Sequence, residues 1–353
     1  MQGRKWPCRH VVASFALLWL LATPCSGAAQ QDANACGPFG DAPADLVEAK
    51  TPYCLGATRL GPWKDSNGSN RYACLYEPGA RASAGPLPLL IYLHPSLFGT
   101  TTIRLTNLLH YQDSLPIGGQ RGFIVLEPAG RKTTHYYPFP DQKGIGWDNW
   151  YRQLNPAGDV KIHGTTYKEN VDAAAIDHFV AEVIAAERID TKRIYVTGWS
   201  NGAAMAYLYA LNRPNIAAAA VYSAPDPFGA LDDPCPQKPV AHPARDDAEV
   251  QIFNPRLPSM HIHSNCDALG LCPNCELLTS QLQSMGMSVD DITVNSLGRQ
   301  VSGCMRACGT DPMGDAHLGS NPLGWTLGLA NHSSWPLTWT RTMLDFLRDH
   351  PLK

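Results

Sequence analysis

The stretch Arg193-Ile194-Tyr195-Val196-Thr197-Gly198-Trp199-Ser200-Asn201-Gly202-Ala203-Ala204-Met205 decides the reading of this chain. Its first half, Arg193 to Thr197, is a β-branched run that predicts a strand; Gly202 to Leu211 is rich in Ala, Met and Leu and predicts a helix. Between them stands Gly-x-Ser-x-Gly. A serine hydroxyl that is to attack a carbonyl has to stand on a sharp turn, and a side chain two residues to either side would collide with the strand or the helix. The motif alone is weak, because it also occurs in glycine-rich loops; the strand before it and the helix after it give it weight. Ser200 is the candidate nucleophile, and the N–H of Asn201, at the helix start, is a candidate donor to a developing oxyanion. The competing reading is a turn serine that caps a helix.

Outward from the turn, strand and helix signals alternate. Leu89 to Leu93 and Phe123 to Leu126 are continuous apolar runs, suited to strands buried on both faces of a parallel sheet. Arg71 to Tyr76 predicts an edge strand. Between Asn170 and Arg188 the apolar positions Val171, Ala174, Ala175, Phe179, Val183 and Ile184 recur at helical spacing. Ile216 to Tyr222 predicts a strand, although its alanines weaken the signal. Met260 to His263, a helix from Glu276 to Met285, Ile292 to Asn295 and a final helix from Thr338 to Arg348 complete the pattern. The alternation predicts an α/β fold with a mostly parallel central sheet flanked by helices. No repeat or linker-like tract divides the chain after residue 53, so 53–353 is expected to be one domain.

A hydroxyl nucleophile on such a turn needs a base, and the base an acid; in this architecture they follow the serine in chain order, each in a loop after a later strand. Asp267, which follows the run Ser259 to His263, is the expected acid, with Asp226 in reserve and Asp232 and Asp233 as further candidates. His332, in a loop before the final helix, is the expected base, with His317 as the alternative; His350 lies at the terminus. The second oxyanion donor is expected from the loop leaving the first buried strand, at the N–H of Ser96.

The 353 residues are 44% hydrophobic and 17% charged, enough apolar material for a large core. The first 29 residues read separately: Arg4, Lys5 and Arg9, then an apolar run from Val11 to Thr23, then small residues, the pattern of a signal peptide cleaved after Ala28 or Ala29. A lipoprotein signal at Cys25 fits less well, because Pro24 precedes it. The run is shorter than the ~20 residues of a spanning helix, so no membrane attachment is expected after cleavage. Residues 30–52 read as a loosely ordered arm. Without the leader, 25 basic residues face 31 acidic ones, which disfavours nucleic acid as a partner. Nine of the 11 cysteines remain, in an exported chain most simply as disulfides with one left over; zinc at Cys272, Cys275, Cys304 and Cys308 is the competing reading. Asn67 and Asn331 stand in glycosylation sequons.

Tyr195 to Gly202, the acid in His261-Ile-His-Ser-Asn-Cys-Asp267, the base in His332-Ser-Ser-Trp-Pro336 and the segment Gly146-Trp-Asp-Asn-Trp150 together resemble the secreted polyhydroxybutyrate depolymerase and feruloyl esterase group of α/β-hydrolases, over most of the chain after Pro88. The resemblance implies an α/β-hydrolase catalytic domain that cleaves ester bonds with Ser200, His332 and Asp267, through an acyl-enzyme, and requires neither metal nor organic cofactor. The substrate it implies is a polyester or another acyl ester. Pro95, Ser96 and Ala203 depart from the group's usual residues, which bears on the substrate more than on the mechanism. Trp147, Trp150, Trp199 and Trp335 lie in or beside the expected site loops and are candidate substrate contacts, as is Trp325. Other functions consistent with the sequence are a feruloyl or acetyl-xylan esterase, a poly(aspartic acid) hydrolase with a basic cleft built from Arg131, Lys132, Arg152, Lys161 and Lys168, and a non-catalytic binding protein. Oligomeric state is not legible.

Overall fold

The structure is a computed structural model that describes residues 51–65, 68–79, 84–113, 115–117, 120–133, 144–147, 160–162, 165–167, 170–224, 253–264, 279–280, 282–294 and 330–353. The expected leader, the arm up to residue 50 and the cysteines other than Cys54 and Cys74 lie outside them. So do Asn67, Asp226, Asp232, Asp233, Asp267, His317, Trp150 and Trp325.

Eight strands form the main sheet: β1 (Thr58–Lys64), β2 (Asn70–Tyr76), β3 (Leu87–Leu93), β4 (Ile124–Pro128), β5 (Ile189–Trp199), β6 (Ala218–Tyr222), β7 (Ser259–Ser264) and β8 (Val289–Val294). They lie in the order β1-β2-β4-β3-β5-β6-β7-β8. β3 to β8 are parallel; β1 and β2 pair antiparallel at one end. Among the described residues, the helices α1 (Val171–Ala186), α2 (Asn201–Leu211) and α3 (Thr340–Asp349) pack on this sheet. The expected helix from Glu276 is seen in part, with Thr279–Ser280 and Leu282–Ser284 helical. No helix among the described residues is long and apolar enough to cross a membrane.

Every residue of β3 is buried because the sheet is covered on both faces. Leu89, Ile91 and Leu93 join a core with Ile176 and Phe179 of α1 and Met205 of α2. Leu90 and Tyr92 turn the other way, into a core with Met343, Leu344 and Leu347 of α3. Those residues of α3, with Thr340, form one buried stripe at helical spacing. The alanines of β6 fit between the layers: Ala219 belongs to the first core, Ala218 and Ala220 to the second.

One expectation for the sheet is corrected. β2 is not the edge strand; β1 lies outside it, paired from Thr58 opposite Leu75 to Lys64 opposite Asn70 with a register shift between Leu60 and Trp63. β1 is mostly exposed and carries no apolar periodicity. The Cys54–Cys74 disulfide ties the segment before it to β2.

A buried ionic cluster fastens the start of α1 to this end of the sheet. Arg71 on β2 donates to Asp172 at 2.7 Å and to Asp65 at 3.3 Å, and Arg131 lies 3.3 Å from Asp172. Asn170 caps the helix, its Oδ1 accepting the N–H of Asp172 and of Ala173, each at 3.0 Å. Arg131 is 1% exposed and paired inside the protein, so it is not part of a basic cleft for a polyanion. Arg152, Lys168 and the side chains of Lys132 and Lys161 lie outside the described residues.

Candidate active site

β5 ends at Trp199 and α2 begins at Asn201, with Ser200 alone between them at φ 56°, ψ −124°. That backbone is costly for a residue with a Cβ, of order 1–3 kcal/mol, and persists only where the surroundings enforce it. Here they do. The Ser200 N–H donates to the Tyr222 carbonyl at 3.0 Å, and the Ser200 carbonyl accepts from Ala203 and Ala204 at 2.9 and 3.1 Å, which starts the helix. The glycines matter by close approach. A Cβ on Gly198 would stand 2.4 Å from the Gly202 carbonyl oxygen, and one on Gly202 would stand 2.3 Å from the carbonyl oxygens of both Leu93 and His94. Gly198 lets the helix fold back on the strand, and Gly202 lets it descend on the end of β3.

The imidazole Nε2 of His332 lies 2.9 Å from Ser200 Oγ, within hydrogen-bond reach for proton transfer. His332 and Ser200 are 6% and 3% exposed. His332 sits not in an open loop, as the sequence suggested, but at the end of a helical turn, 330–332. The turn is held from below. The Trp199 indole N–H donates to the His332 carbonyl at 2.9 Å, and the Tyr222 hydroxyl donates to the Asn331 carbonyl at 2.9 Å. Trp335 packs edge-on against Trp199, Tyr222 and Tyr92, and its N–H donates to Thr340 Oγ1, which donates in turn to the Thr106 carbonyl.

On the other flank of Ser200, β3 leads into the turn that carries Ser96, itself buried. His94 organises this turn. Its Nδ1 faces the Pro95 carbonyl at 2.9 Å, and its Nε2 accepts the Gly130 N–H at 2.8 Å, so the ring is neutral with the proton on Nδ1. Burial reinforces that state and pushes the His94 pKa down to about 4. The His94 carbonyl accepts the Trp147 indole N–H at 2.9 Å. Asn201 closes the frame: its Oδ1 accepts the Trp147 N–H at 2.7 Å and its Nδ2 donates to the Trp147 carbonyl at 3.1 Å. A contribution of Asn201 to an oxyanion therefore comes from its backbone.

Of the expected site residues, the structure brings Ser200, His332, Asn201 and Ser96 to one end of the parallel strands. Asp267, three residues beyond the end of β7, lies outside the described residues. Three tryptophans are corrected. Trp147 is fully buried, while Trp199 and Trp335 are each 4% exposed with the indole N–H engaged inside the protein, so all three brace the site and none offers its ring to a ligand. Asn331 is fully buried, which leaves no room for a glycan there in the folded protein. His94 and Tyr222 were missed as positioning residues. The run Leu93-His94-Pro95-Ser96 pointed to an oxyanion turn without showing that the histidine holds it.

The fold is that of the α/β-hydrolases, with Ser200 and His332 paired at the turn after β5. The family described as "Esterase PHB depolymerase" matches residues 163–302, which include the elbow and Asp267 and leave out Ser96 and His332. Among solved structures, an S-formylglutathione hydrolase from Agrobacterium tumefaciens aligns with 86% of this chain and 100% of its own, at 12% identity and a TM-score of 0.51. A thermostable esterase aligns over 84% of this chain at 16% identity and a TM-score of 0.44, and this chain spans 64% of its length. A ferulic acid esterase aligns over 68% of this chain and 90% of its own, at 11% identity and a TM-score of 0.45. No curated protein sequence matches. Residues 163–302 thus resemble the polyhydroxybutyrate depolymerase esterases, and the chain has the α/β-hydrolase fold.

Proposed function

We propose that this chain is an exported serine esterase of polyhydroxybutyrate depolymerase type, working through a Ser200–His332–Asp267 triad. The observation that carries the reading is the 2.9 Å approach of His332 Nε2 to a serine hydroxyl held on an enforced, strained turn. Ser200 Oγ attacks the ester carbonyl carbon as its proton passes to His332. The N–H groups of Asn201 and Ser96 receive the charge that develops on the carbonyl oxygen. His332 then protonates the leaving alcohol, and an acyl-enzyme remains on Ser200. Water, deprotonated by His332, attacks that ester and releases the acid and the free serine. Asp267 accepts the imidazole Nδ1–H and stabilises the charged ring.

Export is supported by the leader pattern of residues 1–29 and by the Cys54–Cys74 disulfide, a bond favoured in oxidising compartments. A polyanionic amide substrate is less well supported, because Arg131 is held by Asp172.

The test is hydrolysis of p-nitrophenyl butyrate by the wild type and by Ser200→Ala, followed by polyhydroxybutyrate, a feruloylated sugar and poly(aspartate) in one buffer. Loss of about 10⁴-fold or more with Ser200→Ala, and release of hydroxybutyrate oligomers by the wild type, is the expected result. Equal activity of the two proteins would overturn the mechanism, and cleavage of only the feruloyl ester or the polyamide would overturn the substrate.

A further inference from the structure

Two large apolar side chains stand exposed immediately after Ser96: Leu97 at 49% and Phe98 at 53%. Leu97 is also held in left-handed backbone, φ 76°, a conformation a leucine rarely adopts. A glycine or asparagine would occupy this position with less strain, and a polar residue would suit its exposure better. The conformation is enforced from outside the turn. The Leu97 N–H donates to the Ile145 carbonyl at 2.7 Å, and Gly99, at φ 65°, lies directly under the Ile145 side chain. Ile145 is two residues from Trp147, which is bonded to Asn201 beside the nucleophile. The tip is thus registered to Ser200 through one short rigid path.

Its position relative to the reaction follows from strand order. β3 and β6 flank β5 on opposite sides, and Ser200 stands at the end of β5. The 97–98 tip follows β3, whereas His332 is fastened to the β6 side through Tyr222 and Asn331. A leaving oxygen has to face the base that protonates it, which places the alcohol of an ester toward β6. The carbonyl oxygen faces the amides of Ser96 and Asn201. The remaining substituent, the acyl chain, is directed toward the β3 flank.

We infer that Leu97 and Phe98 form the apolar wall against which the acyl chain of the ester lies, so that they set acyl-length preference; this rests on the serine esterase reading above. Two methylenes distinguish a butyryl from an acetyl chain, and each buried methylene changes transition-state binding several-fold.

The experiment is kcat/KM for p-nitrophenyl acetate and p-nitrophenyl butyrate, measured on wild type, Leu97→Asn, Leu97→Gly and Phe98→Ala, with circular dichroism of each to confirm folding. Leu97→Gly and Leu97→Asn both suit the left-handed backbone, so they remove the side chain and keep the turn. The butyrate-to-acetate ratio is expected to fall about tenfold in the Leu97 variants, with a drop in the same direction for Phe98→Ala. An unchanged ratio in folded Leu97 variants of an active enzyme would overturn the inference alone. Absence of Ser200-dependent ester hydrolysis in the wild type would instead overturn the esterase reading and this inference with it.

Discussion

The indole N–H of Trp199 donates to the main-chain carbonyl of His332 at 2.9 Å, so the residue before Ser200 fixes the height of the turn that carries His332. Trp199→Phe keeps an aromatic ring but removes this bond, together with part of the indole surface that packs on Trp335 and Tyr222. An unanswered buried carbonyl costs roughly 1–3 kcal/mol, and the His332 turn is free to shift to relieve it. The expected outcome is a fall in kcat of about tenfold or more on p-nitrophenyl butyrate, with a much smaller change in KM. A change confined to KM would mean that Trp199 touches substrate after all.

Gly202 admits no side chain. A Cβ there meets two backbone oxygens at 2.3 Å, and neither the end of β3 nor the start of α2 can retreat without moving Ser200. Gly202→Ala is expected to lower stability by about 2–4 kcal/mol, read as a shift in the urea midpoint, and to abolish ester hydrolysis. A stable, active Gly202→Ala would contradict the close packing of helix on strand.

Asp172 balances the buried guanidinium of Arg71 and lies beside that of Arg131. Asp172→Asn leaves that positive charge poorly compensated in a dry site, at a cost of roughly 3–5 kcal/mol. The expected result is a large fall in melting temperature in Asp172→Asn, while a surface control such as Asp345→Asn, whose partners Arg341 and Arg348 are solvent-accessible, changes little.

Buried histidines make folding acid-sensitive. Burial holds the pKa of His94 down to about 4; burial, aided by the neighbouring His263, holds that of His261 down to about 3, against 6.5 for a free imidazole. Between those values and 6.5 the unfolded chain binds protons that the folded chain refuses. Their contribution is therefore complete above pH 6.5 and is lost as pH falls toward 4. His261→Gln should lose less stability than wild type between pH 7 and pH 4.5, measured by urea unfolding.

Glu127 carries the opposite sign. It is fully buried, and burial pushes its carboxyl well above the usual range, with the Tyr76 hydroxyl 3.3 Å from Oε2. The folded chain keeps a proton that the unfolded chain releases above pH 4.5, so Glu127 destabilises the fold increasingly as pH rises through that region. Glu127→Gln is isosteric with the neutral acid. It is expected to gain stability relative to wild type at pH 8 and to gain less at pH 5.

Much of the sheet was legible because it is buried on both faces. Continuous apolar runs at Leu89 to Leu93 and Ile124 to Leu126 have no other comfortable place. The elbow was legible because Gly198 and Gly202 are demanded by backbone contacts. β1 was not, since an exposed edge strand is held by main-chain pairing and by a disulfide, neither of which leaves an apolar period. The tryptophans misled because sequence shows that an indole lies near a site and not which way its N–H points. Arg131 misled for a related reason: its partner, Asp172, is distant in the chain. Leu97 carried no signal at all, since a strained φ is imposed by Ile145 across the fold.

The central claim is that Ser200 is a nucleophile activated by His332. A fluorophosphonate tests it directly, because Ser200 Oγ would displace fluoride and keep the phosphonyl group, which peptide mass spectrometry locates. The account predicts a single adduct on Ser200 in the wild type, none in Ser200→Ala, and labelling slowed by about 10³-fold or more in His332→Ala. An adduct on another residue, or labelling of Ser200 at an undiminished rate without His332, would contradict it.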